Sequence, residues 1–250
     1  MRIVLITQAR VGSTRLPNKV FSKIGEETML SLHIKRLLKS KRLDKIVVAT
    51  TYESGVNKII KICNELKVEY YQGSLDDVLD RFYQAAKKFK SELIVRVTSD
   101  CPLIDPLLID EIIDIAVREK VDYCSNTITE DFPDGQDIEV FTFKSLEKAW
   151  MQSKLKSERE HVTPFIRNNS TAKGVNLFTS YDVINPINNN EIRMTVDEFA
   201  DLKTIELLVS ELGINSGWQD YTKFLLENRE RLSNTQLIRN EGYLKSISKD

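Results

Sequence analysis

The chain has 250 residues, 41% of them hydrophobic, and 36 Lys and Arg against 37 Asp and Glu, a formal net charge of −1. That balance argues against a general nucleic-acid binder and an acidic solvating protein, and only 9 Gly and 6 Pro exclude collagen-like and low-complexity chains. A chain of this length buries a sizeable core without staples, and Cys63, Cys101 and Cys124 form neither a CxxC pair nor an even framework, which suits a reducing compartment.

Residues 2–7 (RIVLIT) form a short apolar, β-branched run that predicts a buried strand. It is too short for a signal peptide or a membrane span, so the expected setting is cytoplasmic, with no membrane partner. Charge is unevenly placed around it. The first 25 residues hold Arg2, Arg10, Arg15, Lys19 and Lys23 and no acid, which leaves 31 cations against 37 acids, net −6, in the remainder. Residues 8–19 (QARVGSTRLPNK) are neither GxGxxG nor a Walker P-loop. They do leave the carboxyl end of the first strand, where open α/β sheets bind ligands. Gly12 permits close backbone approach, Ser13 and Thr14 add hydroxyls, and Pro17 stiffens the exit. Arg10, Arg15 and Lys19 put three cations into ten residues, which suits a polyanion such as a triphosphate, with a solvated basic loop as the alternative.

Helical spacing follows in Leu30, Ile34, Leu37 and Leu38, with His33 inside the pattern and therefore structural. Residues 45–50 (KIVVAT) predict a strand; Val56, Ile59, Ile60, Cys63 and Leu66 predict a helix; 68–72 (VEYYQ) predict another strand. Ser74 or Asp76 then suits an N-cap. Residues 93–98 (LIVRVT) predict a strand that ends at Asp100, whose carboxylate faces the same crevice as the basic loop. Such an aspartate is suited to Mg²⁺, which takes one or two carboxylates plus substrate phosphates, and also to N-capping. Pro106 starts a helix carried by Ile109, Ile112, Ile113 and Ala116. Residues 121–125 and 138–143 predict strands, and polar residues alternate against Ile138 and Val140 across Gln136, Asp137 and Glu139.

From 144 to 230 the pattern is mostly helical, broken near 175–196 by a strand pair whose Asn185–Asn190 stretch reads as an exposed loop or hairpin tip. His161 lies in a charged cluster, Glu158-Arg159-Glu160-His161. Asp197 stands between a strand and a helix start, with the same two readings as Asp100. The stripe Leu202, Ile205, Leu208, Val209 and Leu212 must be buried somewhere, which makes a homodimer an expectation. The polar tail from 233 is a docking helix or partly frayed. With one candidate histidine and no spaced cysteines, a zinc site is unsupported. Alternation of strand and helix predicts an α/β fold with a mainly parallel twisted sheet covered on both faces. The economical organisation is a single domain over 1–250. Its nucleotide-binding half spans about 1–130, a smaller substrate or dimerisation portion about 131–232, and the tail about 233–250.

The loop ARVGSTRLPNK resembles the N-terminal signature of the cytidylyltransferases that make CMP-activated acidic sugars, most closely the spore coat polysaccharide group among them. GSLDDVLDRFYQAA (73–86), VRVTSDCPLIDP (95–106), DGQDIEVF (134–141), EREHVTPFI (158–166) and TVDEFADL (195–202) resemble the same family in the same order, so the resemblance covers roughly 1–202. Asn18 stands where that group usually has Gly, and Ser99 where it often has Gly; both are small loop residues. The resemblance implies a Rossmann-like, GT-A-like nucleotidyltransferase fold. It also implies Mg²⁺-dependent transfer of CMP from CTP to an acidic or modified sugar for surface glycan synthesis. In that picture Gln8, Ala9, Arg10, Gly12, Ser13, Arg15 and Lys19 hold the nucleotide, with Ser74 and Asp77 near its base. Asp100 and Asp197 hold the metal, and these two with Arg10 and Lys19 carry the reaction. Gln136, Asp137 and Glu139 line the acceptor pocket, and His161 binds an acidic acceptor or assists its deprotonation. Transfer from UTP or another nucleotide, a GT-A-like glycosyltransferase, and a nucleotide-binding scaffold module are the competing readings.

Overall fold

The structure, a computed structural model, describes residues 1–13, 15–232, 234–237, 239–248 and 250. Thr14 of the basic loop lies outside these residues. The first strand, β1 (Ile3–Gln8), is the hub of the molecule. It pairs in parallel with β4 (Lys45–Thr50) on one side and β6 (Leu93–Thr98) on the other, and β5 (Glu69–Gln72) extends the parallel part beyond β4. On the other flank β8 (Glu139–Thr142) runs antiparallel to β6 and to β7 (Tyr123–Ser125), and β9 (Ser180–Asp182) is parallel to β7. The seven-stranded order is β5-β4-β1-β6-β8-β7-β9, and β2 (Lys23–Ile24) with β3 (Glu27–Thr28) forms a small separate ribbon.

The continuous apolar runs of the central strands have a direct cause: both faces are covered. Along β1, Ile3 and Leu5 enter one core and Val4 and Ile6 enter the other. The first core is closed by α1 (Met29–Leu37), α2 (Asn57–Glu65), α4 (Pro106–Glu119), α8 (Phe199–Leu212) and α9 (Trp218–Glu227). The second is closed by α3 (Val78–Lys88), α5 (Phe143–Gln152) and α7 (Pro164–Asn168), through residues such as Leu79, Phe82, Leu146 and Ile166. Pro106 stands at the start of α4 as expected, behind Asp105, whose carboxylate accepts from the Leu107 N–H at 2.8 Å.

One expectation is corrected. The strand pair near 175–196 is a single strand, β9, plus one-residue bridges of Ser170 with Phe178 and of Asp134 with Arg193. The chain from 183 onward finds its partners in other loops, with Val183 donating to Ser125 and Asn189 to Asp131. The stripe of α8 also needs no second copy: Leu202, Ile205 and Leu208 are buried in the chain's own core, with Val209 and Leu212 packed against it. The tail forms a docking helix, α10 (Glu241–Ile247), against α6 (Lys156–His161). No helix among the described residues is long and apolar enough to cross a membrane.

Candidate active site

Two adjoining cavities open at the carboxyl ends of the parallel strands. The larger, about 720 Å³, receives the basic loop; the smaller, about 250 Å³, lies toward β8 and the C-terminus. Gln8, Arg15, Thr98, Asp100, His161 and Asp197 line both, so they form the shared wall.

The basic loop lines the larger cavity with Gln8, Ala9, Arg10, Gly12, Ser13, Arg15 and Lys19. Asn18 adopts a left-handed conformation, φ 58°. Asparagine tolerates that region best after glycine, so the departure from Gly costs the loop little. The backbone turn it makes delivers Lys19 inward. The Lys19 ammonium donates to Asp197 Oδ1 at 2.9 Å, to the Val196 carbonyl at 3.0 Å and to Asp100 Oδ2 at 3.3 Å. Burial disfavours its charge, but the two carboxylates outweigh that and raise its pKa. Arg15 is held by Asp197 at 3.0 Å, with Glu198 and Glu241 also within ion-pair reach. Arg10 lines the cavity without an ion-pair partner among the described residues, which leaves its donors open to an anion.

Asp100 and Asp197 reach the shared wall from opposite ends of the fold. Asp100 follows β6 directly. Asp197 is brought in by the segment 192–196, which zips between two loops: Met194 N–H donates to the Asp134 carbonyl at 2.7 Å and Val196 N–H to the Asp100 carbonyl at 2.8 Å. Burial pushes the Asp100 carboxyl upward, yet Lys19 and the hydrogen bonds from Thr98 and Cys101 hold it at about 2. Behind Asp197, Arg193 is a buried hub that bonds Asp201 at 2.8 Å, Asp134 at 2.6 Å and Asp197 itself at 3.3 Å. Among the described residues no cluster of three or more His, Cys, Asp or Glu is poised for a metal. The donor set is thus two carboxylates that already gather a cation between them. Two hard oxygen donors beside a phosphate-binding loop fit Mg²⁺, which keeps water and substrate oxygens in its remaining positions.

The turn after β5 departs from expectation. Ser74 and Asp77 are absent from the cavity linings: the Ser74 hydroxyl accepts from the Asp77 N–H at 3.0 Å, and the Asp77 carboxylate caps α3 by accepting from the Asp80 N–H at 2.9 Å. Asp77 also pairs with Arg159 of α6, whose Nε lies 3.0 Å from it. What this turn presents to the larger cavity is Leu75, Asp76, Val78 and Arg81. Arg81 is buried, its Nη1 donates to the Ser74 carbonyl, and its Nε has no hydrogen-bond partner among the described residues. Burial, with Arg10 nearby, lowers its pKa to about 10, so it is still a cation at neutral pH. Arg81, Lys156 and Arg159 join Arg10, Arg15 and Lys19 around the larger cavity. Sequence reasoning missed these three. The available signal was Arg81 itself, a cation on the apolar stripe of α3 beside Val78 and Phe82.

Around the smaller cavity Gln136 is also corrected. It is fully buried, accepts from Asp105 N–H at 2.9 Å and donates to the Leu103 carbonyl at 3.1 Å, so it braces the loop behind Asp100 instead of meeting a ligand. Asp137 and Glu139 do line this cavity, each paired: Asp137 with Arg239 at 2.6 Å, Glu139 with Arg96 and with the Tyr123 hydroxyl at 2.7 Å. His161 faces both cavities with a buried Nε2 that has no hydrogen-bond partner among the described residues. Burial and then Arg96 push its pKa down to about 4, which makes it a neutral imidazole at physiological pH and not a cation. His33, by contrast, is structural: it is buried, with Nδ1 2.9 Å from the Cys101 carbonyl and Nε2 3.0 Å from the Thr7 hydroxyl.

Comparison with known proteins agrees with this arrangement. Residues 4–246 match a family model described as Cytidylyltransferase. An uncharacterized protein of Methanocaldococcus jannaschii is 40% identical over 246 residues, covering 97% of this chain and 98% of that one. The spore coat polysaccharide biosynthesis protein SpsF of Bacillus subtilis is 30% identical over 216 residues, 84% of this chain and 88% of its own. The solved structure of a cytidylyltransferase from Leptospira borgpetersenii superposes with a TM-score of 0.88 at 32% identity, covering 96% of this chain and all of that one.

Proposed function

The chain belongs to the cytidylyltransferase family, and on that premise we propose that it transfers CMP from CTP to an acidic sugar, for surface polysaccharide synthesis in the cytoplasm, as a single nucleotidyltransferase domain. The observation that carries this reading is the shared wall. Asp100 and Asp197 separate a cavity ringed by six cationic side chains, sized for a triphosphate, from a smaller polar cavity suited to an acceptor.

In the reaction an acceptor hydroxyl oxygen attacks the α-phosphorus of CTP. The new P–O bond forms as the bond to the β-phosphate breaks; the hydroxyl proton is released and pyrophosphate leaves. Such chemistry asks for in-line placement and neutralised phosphate charge more than for covalent help. Arg10, Arg15, Lys19 and Arg159 hold the triphosphate and the departing pyrophosphate, with Arg able to grip phosphate oxygens bidentately. Asp100 and Asp197 would hold Mg²⁺, which would supply positive charge to offset that of the phosphates. His161, neutral and unpartnered at Nε2, offers the acceptor a hydrogen bond from between the two cavities.

Pyrophosphate release with four nucleoside triphosphates and a panel of acidic sugars, with and without chelator, tests the proposal. Release with CTP only, and only with an acceptor and Mg²⁺, is the expected result. Equal release with UTP, or failure to bind any nucleotide, would overturn it.

A further inference from the structure

Five arginines line the smaller cavity: Arg15, Arg96, Arg167, Arg193 and Arg239. Four are already neutralised. Arg15 is held by Asp197, Glu198 and Glu241; Arg96 by Glu139; Arg193 by Asp134, Asp197 and Asp201; Arg239 by Asp137. Arg167, on α7, has no ion pair among the described residues. Glu139 lies close enough to favour its charge, but the oxygens of that carboxylate are taken by Arg96 and Tyr123. Among the described residues, the one group that Arg167's side chain grips is Tyr243, on the C-terminal helix. Its Nη2 donates to the Tyr243 hydroxyl at 3.0 Å, and its guanidinium carbon lies 5.3 Å from the centre of the Tyr243 ring. His161 packs edge-on against the other side of the same residue, ring centres 5.0 Å apart.

The helix that carries Tyr243 is anchored at both ends of the cleft. Arg239 donates to the Phe132 carbonyl at 2.7 Å and Asn240 to Glu130 at 2.7 Å; further along, Ser246 donates to Glu160 at 2.8 Å and Asp250 accepts from the Ser157 N–H at 2.9 Å. Tyr243 is therefore held in place by a docked element, and it aims a guanidinium with unused donors into the acceptor cavity. A partly desolvated, unpaired guanidinium is a receptor for a planar anion.

We propose that Arg167 binds the carboxylate of the acceptor sugar and that the C-terminal helix, through Tyr243, positions it. Arg167 is then a specificity-determining residue and Tyr243 a positioning residue. This rests on the cytidylyl-transfer reading above.

The test uses the full-length protein with CTP and Mg²⁺, with 3-deoxy-manno-octulosonate and nine-carbon 3-deoxy-2-keto acids as probes, each as free acid and as methyl ester. Wild type is expected to prefer the acid. Arg167→Gln should raise the acceptor KM roughly 10- to 100-fold and abolish the preference for acid over ester, with the KM for CTP within about twofold. Arg167→Lys restores part of the preference, since it keeps the charge and loses the fork. Tyr243→Phe, which removes only the hydroxyl, should raise the acceptor KM by roughly 3- to 10-fold at nearly constant kcat. Unchanged acid-over-ester discrimination in Arg167→Gln, or a change confined to the KM for CTP, would overturn the inference while leaving the cytidylyl-transfer reading standing. Wild type that binds CTP yet releases no pyrophosphate with any acid would overturn that reading, and the inference with it.

Discussion

The Lys19 ammonium lies 2.9 Å from a carboxylate oxygen of Asp197, 178 positions further along the chain, and 3.3 Å from Asp100 on its other side. One cation from the basic loop thus sits between two carboxylates that would otherwise repel across the wall between the cavities, and Arg15 and Arg193 on Asp197 complete the compensation. With Lys19 in place, Mg²⁺ alone meets a site whose charge is already compensated. Removing the ammonium by Lys19→Met leaves two facing carboxylates and a stronger demand for a divalent cation. The variant is expected to have a lower Tm than wild type without Mg²⁺. Millimolar Mg²⁺ without nucleotide should then raise its Tm by roughly 2–5 °C, against little change in wild type. A variant whose Tm ignores Mg²⁺ would show that these carboxylates do not form the metal site.

Asp100→Ala tests the same wall from the side of catalysis. The substitution removes a negative group from the point where the cavities meet, while the core of β6 and the loop braces through Gln136 and His33 remain. Turnover is expected to fall on the order of 10²-fold or more, in the range seen when one preorganised electrostatic contact is lost. Circular dichroism should be unchanged. Near-normal pyrophosphate release with Mg²⁺ would remove Asp100 from the reaction.

The parts of this site that were legible in the sequence are those set by local patterning. β1, β4 and β6 are buried on both faces, so their apolar runs stand out, and the loop after β1 concentrates cations where no acid is near. Asp100 could be placed because it follows a strand that had to end at the cleft. The rest depends on long-range packing. Arg81, Arg159, Arg167 and Tyr243 come from α3, α6, α7 and α10, and nothing in their own neighbourhoods says that they converge. Gln136 misled for a related reason: in an alternating segment it looked like a ligand group, and only the fold brings Leu103 and Asp105 to its carboxamide. Asp77 shows the opposite, a residue whose local role as an N-cap wins over the site role expected of it.

Gly135 gives a prediction about how Asp197 is delivered. Its φ is +105°, and a Cβ there would lie 2.7 Å from the Met194 carbonyl carbon, 2.8 Å from the Thr195 nitrogen and 2.9 Å from the Met194 oxygen. These are backbone atoms of the segment that carries Asp197 to the shared wall, so no side-chain rotation can relieve the contact. Gly135→Ala is expected to destabilise the fold by about 1–3 kcal/mol from backbone strain alone. It should also lower turnover more than that loss explains, because the clash displaces the segment next to Asp197. Chemical denaturation and pyrophosphate release measured on one preparation separate the two effects. Normal turnover in the surviving folded fraction would show that segment 193–197 tolerates displacement.

Acid stability tests the brace behind Asp100. The Cys101 carbonyl can only accept, so His33 Nδ1 carries the hydrogen; with the ring kept neutral by burial, Nε2 is left to accept from the Thr7 hydroxyl. Complete burial lowers its pKa from the ordinary 6.5 to about 4. A base whose folded pKa is depressed takes up its proton first in the unfolded chain. Its stabilising contribution is therefore full above pH 6.5 and is lost as pH falls from 6.5 toward 4, with about 3 kcal/mol at stake for His33. His161 shifts in the same direction, by burial and by Arg96, but it lines open cavities and its share is smaller. These are the two histidines of the chain; Asp131, Asp134 and Asp137, whose carboxyls burial pushes upward, take up protons first in the folded chain and work in the opposite direction across the same window, so the histidine share is the part of the slope that a histidine substitution removes. Below it Asp100 takes over, since Lys19 and its other partners hold it at about 2 against an ordinary 3.8; its contribution is present above 3.8 and disappears as pH drops through 2. Urea midpoints taken between pH 7.5 and 4 should lose less on acidification in His33→Gln than in wild type, and the difference should be smaller for His161→Gln. A His33→Gln profile parallel to that of wild type across that window would mean that His33 is not held neutral, and the brace between β1, α1 and the Asp100 loop would need another explanation.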